Sequence, residues 1–201
     1  MKKLLFTLSL FAFTLAGLRA QAASAAELET AAAYLEKTRA AVLAATKGLS
    51  AAQWKFKADP ARWSVAETLE HIASAEDMLR GHVKDQVMKA PPRPAGEDVK
   101  AIDDFVLTAI PDRTQKAKSP EPLIPTNRYG SPDDARTHFE SSRAATLAFL
   151  KATPGLRDHA IDSPLGKRLD GYQWLLFIAA HSERHTKQIE EVKADAGFPK
   201  K

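Results

Sequence analysis

Six histidines and no cysteine set the chemistry open to this chain of 201 residues. His181 and His185 stand four apart, so on a helix their imidazoles leave the same face about one turn from each other. Trp174, Ile178, His181, His185, Ile189 and Val192 follow one another at steps of four, three, four, four and three. Both histidines therefore belong to the stripe that should turn into a core. Two neighbouring imidazoles taken out of water each need a partner. One divalent cation serves both, with zinc binding imidazole nitrogen at roughly 2.0–2.1 Å. His71 is the best third ligand by position, at the edge of a second apolar stripe beside Ile72. His82 has nearly the same angular position as His71 but lies ~16 Å further along the helix, too far to share one ion. His138 and His159 read as histidines satisfied by ordinary hydrogen bonds.

Three imidazoles leave a tetrahedral zinc one position for water or substrate. The chemistry that follows is acidification of water for hydrolysis, or capture of a thiolate or carboxylate. His181 and His185 lack the glutamate of H-E-x-x-H, so this is not that metalloprotease pattern. Ligating imidazoles usually donate their second N–H to an acceptor. Glu67, four residues before His71, and Gln188, three after His185, are the candidates. Glu76 falls where the stripe around His71 continues, and it is the acid expected to move a proton, with Gln188 assisting.

Four long segments carry helical periodicity, and none shows a convincing strand alternation. The first spans about Ala26 to Lys47, with Leu28, Ala31, Leu35, Thr38, Val42, Ala45 and Leu49 on one face and Gly48 as its stop. The second starts at Ser64, where Ser64-Val65-Ala66-Glu67 forms a capping box, carries Val65, Leu69, Ile72, Leu79 and Val83, and ends by Pro91-Pro92. The third opens at Ser131-Pro132-Asp133-Asp134 and runs to about Ala152. The fourth is capped by Asp170 and reaches about Ala194, after a loop with Ser163-Pro164-Leu165-Gly166. Residues 91–130 make a long connection with a short helix near Asp98–Thr108. The expected fold is all-α: a four-helix bundle with a long connection between the second and third helices.

Without cysteine there is no disulfide, thiolate nucleophile or Cys-bound metal. Lys2 and Lys3 precede an apolar run from Leu4 to Leu18, followed by Ala20-Gln21-Ala22, the pattern of a secretory signal peptide over residues 1–22. The run is shorter than the ~20 residues that cross a bilayer. Cleavage after Ala22 (or after Ala25) predicts a periplasmic or secreted domain over residues 23–201, with no stable membrane insertion. After Ala22, 26 Lys and Arg face 25 Asp and Glu, leaving +1 and no basic stripe for nucleic acid.

The stretch Trp54-Lys55-Phe56-Lys57-Ala58-Asp59-Pro60-Ala61-Arg62-Trp63-Ser64-Val65-Ala66-Glu67-Thr68-Leu69-Glu70-His71-Ile72 resembles the signature of the DinB-like superfamily, which includes YfiT-type proteins. His181-Ser182-Glu183-Arg184-His185-Thr186-Lys187-Gln188-Ile189 is similar to its second signature. The resemblance covers essentially the whole chain after the leader. It implies a four-helix bundle, a divalent ion of the Zn²⁺ or Ni²⁺ type on His71, His181 and His185, and a homodimer. Relatives include thiol-dependent transferases and metal-dependent hydrolases. The expected function is an exported metal protein acting as a hydrolase or thiol-dependent transferase on a small-molecule substrate. The alternative is a non-catalytic metal-binding or stress-related module.

Overall fold

The computed structural model describes residues 22–116 and 118–200. The expected signal peptide therefore lies almost wholly outside the described residues. No helix among the described residues is long and apolar enough to cross a membrane.

Four long helices form the frame: α1 (Ala25–Ala45), α3 (Val65–Asp85), α5 (Pro132–Ala152) and α6 (Gly171–Lys193). Two shorter ones join them, α2 (Ala51–Lys55) and α4 (Val99–Ala109). Local chemistry sets the starts. Ser24, Ser64 and Asp170 each accept from the third helical amide, while the Glu or Gln at that position reaches back to the cap's own N–H. Ser131 caps α5 with Pro132 at the first helical position, and Asp98 caps α4. Gly48, at φ 65°, turns the chain out of α1.

Two features depart from the sequence reading. The segment after Gly48 contains α2, where Ser50 and Gln53 make a capping box of their own. The loop before the last helix is a hairpin, in which Ala160–Asp162 (β1) pairs antiparallel with Arg168–Asp170 (β2). Strands of three residues are too short to display a two-residue period, which is why alternation did not reveal them.

α6 packs against both α1 and α3, and α5 packs against the same two helices from the other side. α1 and α3 therefore occupy opposite corners, as do α5 and α6. The chain crosses the bundle diagonally between its first two long helices and again between its last two. α4, from the long connection, lies on α6. This order puts α3 beside α6, the arrangement that His71 needs to meet His181 and His185.

The core has two apolar clusters. One gathers Leu35, Leu79, Val83, Val106, Leu150, Leu175 and Ile178, and the other Val42, Leu69, Ile72, Phe139, Ile189 and Val192. Between them each long helix contributes a buried polar residue: Thr38, Glu76, Arg143 and Ser182. Arg143 donates through Nε and Nη2 to both oxygens of Glu76, at 2.7 and 2.8 Å. It also donates to Ser182 Oγ at 2.8 Å, Thr38 Oγ1 at 2.9 Å and the Leu35 carbonyl. A bidentate pair with its other donors satisfied is the form in which buried charge is tolerated. Removing one partner strands the other in the core. Arg143→Ala should cost roughly 3–5 kcal/mol in urea unfolding, and the double change Arg143→Met with Glu76→Leu should recover most of that loss.

Candidate metal centre

α3 presents His71 from inside the bundle, and α6 presents His181 and His185 one turn apart. One ring nitrogen from each of the three lies within 4.8 Å of the others. The Nε2 atoms of His71 and His181 are 3.1 Å apart, and the His185 ring centroid is 4.4 Å from each of the other two. Ligands of a tetrahedral zinc at ~2.1 Å stand about 3.4 Å from one another, so small ring movements would fit an ion here.

The outer ring nitrogens decide which inner ones are free. His71 Nδ1 lies 3.0 Å from the Leu123 carbonyl, which can only accept, so Nδ1 carries the hydrogen and Nε2 a lone pair. His185 Nδ1 lies 2.9 Å from Gln188 Oε1. Arg113 Nη1 donates to that same oxygen at 3.1 Å. A guanidinium cannot accept, so the amide atom facing it is oxygen, and His185 also donates through Nδ1. Two of the three Nε2 atoms are thus fixed as electron-pair donors. The donor set and its spacing fit a divalent cation.

Burial lowers the basicity of all three histidines. His185 is pushed down to about 3, first by burial and then by the neighbouring His71. Burial, and then the repulsion that His185 and His71 would exert if protonated, holds His181 well below its ordinary range. Burial also lowers His71, although its bond to Leu123 opposes the shift. At neutral pH all three are uncharged, the form that binds metal. Aromatic walls flank them. The ring of Trp63 is 4.8 Å from that of His71, and Phe177 stacks on His181 at 6.2 Å.

The other expected residues are placed as follows. Gln188 is the acceptor that orients His185. Glu76 has both oxygens on Arg143, so the proton-transfer role expected for it finds no free carboxylate. Glu67 keeps to its cap, taking the Ser64 N–H at 2.7 Å and Lys57 at 2.8 Å, and leaves His71 to Leu123. His82 packs edge-on against Trp174, His138 bonds Asp77, and His159 Nδ1 donates to the Ala90 carbonyl. Sequence reasoning missed Leu123, whose contribution is a backbone carbonyl and leaves no mark in residue type. It also missed Arg113, which holds Gln188 and also clamps Glu191 through two bonds of 2.6 and 2.7 Å.

Residues 34–189 match the DinB superfamily. The chain belongs to that superfamily. Protein YuaE of Bacillus subtilis (strain 168) is 29% identical over 150 residues, covering 73% of this chain and 87% of its own. Among solved structures, YfiT from Bacillus subtilis superposes with a TM-score of 0.55 over 88% of this chain and 91% of its own, at 14% identity. YfiT is described as a probable metal-dependent hydrolase with an unusual four-helix bundle topology. The superposition shows that this DinB-superfamily chain shares the overall fold of YfiT.

The lowered histidines make stability depend on pH. Each binds its proton more weakly folded than unfolded, so the contribution is complete above the unfolded value near 6.5 and is lost as pH falls below it. For His185 the loss continues toward pH 3, at up to about 1.4 kcal/mol per pH unit. Urea unfolding of metal-free protein should therefore show stability falling steadily between pH 6.5 and 4.5. His185→Gln should flatten that slope.

Proposed function

We propose that this protein is an exported, metal-dependent hydrolase of a small molecule, with His71, His181 and His185 holding one zinc or nickel ion. The observation that carries the reading is the convergence of three neutral imidazoles from two helices, two of them locked with Nε2 lone pairs toward a common point. An ion held there would supply Lewis acidity, polarising an electrophile and acidifying water. The chain's own residues do the rest. Leu123 and Gln188 hold the rings in the tautomer that presents Nε2. Arg113 fixes Gln188 so that its amide cannot flip. Trp63 and Phe177 exclude bulk water and offer aromatic surface to the apolar part of a substrate, which strengthens electrostatic interactions at the centre.

The description of YfiT as a probable metal-dependent hydrolase supports the hydrolytic reading, and the leader-like residues 1–22 support export. The capping box at Ser24 and Glu27 favours cleavage after Ala22, because a cut after Ala25 would remove the cap of α1. Mass spectrometry of the secreted or periplasmic protein should find an N-terminus at Ala23. An intact chain confined to the cytosol would overturn export.

Protein purified without a histidine tag should carry close to one zinc or nickel per chain and hydrolyse members of an ester and amide panel. His185→Ala should abolish turnover with the helical spectrum retained, and Gln188→Leu should lower metal affinity by about 10–100-fold. Turnover that survives complete metal removal would overturn the reading. Turnover only in thiol–electrophile assays would move the activity to group transfer.

A further inference from the structure

The acceptor that fixes His71 does not belong to the bundle. The Leu123 carbonyl sits on a single turn, Glu121–Leu123, within the long connection. A loop carbonyl orients a ring only as well as the loop itself is held. What holds it is Glu70, the residue before His71 on α3. Glu70 is 6% exposed, and its carboxylate accepts the Thr126 N–H at 2.7 Å, the Asn127 N–H at 2.8 Å and Arg128 Nε at 3.0 Å. Arg128 then donates Nη1 to the Pro122 carbonyl at 3.1 Å and Nη2 to the Ile124 carbonyl at 2.9 Å. The two carbonyls flanking Leu123 are thus tied to one guanidinium, and that guanidinium is tied to Glu70. Asn127 stands at φ 62°, in the left-handed region that non-glycine residues seldom enter. Its amide in that conformation is one of those Glu70 accepts. Adjacent residues of one helix therefore grip the same loop at two points: Glu70 at 126–128 and His71 at 123.

We propose that Glu70 is a positioning residue for the metal centre. Through Thr126, Asn127 and Arg128 it keeps the Leu123 carbonyl on His71 Nδ1, and so keeps His71 Nε2 free of hydrogen and facing the other imidazoles. The metal-binding consequence rests on the reading of the site given above. The tautomer consequence does not, because it concerns the metal-free protein. A carboxylate that only stabilised the loop would affect unfolding without selecting between the ring nitrogens of one histidine.

The test uses ¹⁵N-labelled protein stripped of metal, with histidine tautomers read from two-bond ¹H–¹⁵N correlations at pH 7.5, followed by titration with Co²⁺. In the wild-type protein His71 should be protonated on Nδ1 alone. In Glu70→Ala it should shift toward a mixture of tautomers while the His185 pattern stays unchanged. Co²⁺ affinity should fall by about 10–100-fold, the range typical of losing an outer-sphere partner. Glu70→Gln, which keeps an acceptor oxygen, should lie between the two. Arg128→Ala loosens the same loop from its solvent side and should reproduce the shift if Glu70→Ala does not fold. A wild-type tautomer and wild-type Co²⁺ affinity in the folded variants would overturn the proposal. If wild type bound no Co²⁺ but the variants still changed the His71 tautomer, the positioning role would stand and the metal reading would fall.

Discussion

Polar groups buried between two apolar clusters must find partners within the protein, and this constraint organises the bundle. Thr38, Glu76, Arg143 and Ser182 meet it with one another, one from each long helix. The histidines meet it with polar partners on their outer side and with one another on the inner side. Nδ1 of residues 71 and 185 is engaged outward, while His71 Nε2 lies 3.1 Å from His181 Nε2, within hydrogen-bond reach, in the three-ring cluster. An arrangement of that kind stores binding capacity. The rings are already desolvated, neutral and oriented, so a cation entering the centre would pay little further ordering cost.

The two networks also explain the division of labour among acidic residues. Glu76 lies on the inward stripe of α3 and could be mistaken for a proton carrier, but Arg143 takes both of its oxygens. Its job is to let α5 carry a charged residue through the core. Gln188 stands behind His185 and accepts from its Nδ1 at 2.9 Å. Arg113 on the far side of that amide resolves which of its two ends faces the ring.

The long connection between α3 and α5 is part of the site rather than a tether. Residues 110–115 are held to α6 by Arg184, Lys187, Gln188 and Glu191, and residues 122–128 are held to α3 by Glu70 and His71. One segment delivers the Leu123 carbonyl and the other the Arg113 guanidinium. Two helices supply the three histidines, and the connection between helices supplies much of what aims their rings. Membership of the DinB superfamily and the likeness to YfiT show the scaffold that this connection joins.

The sequence by itself determined the four long helices, the caps of three of them (Ser64, Ser131 and Asp170) and the inward placement of the three histidines. Those depend on interactions within a few residues, such as Ser64 with Glu67, and on the 3.6-residue period that put His181 and His185 on the stripe of Ile178 and Ile189. It did not determine α2 or the β1–β2 hairpin, whose lengths are below what a period can reveal. Nor could it assign Glu76 or Leu123. Each of those was decided by which partner came within reach once the helices had packed: Arg143 from 67 positions away, and a carbonyl 52 positions from the ring that uses it. Local order is written along the chain. The competition for a hydrogen bond is settled in space, where a backbone carbonyl of any residue type can win.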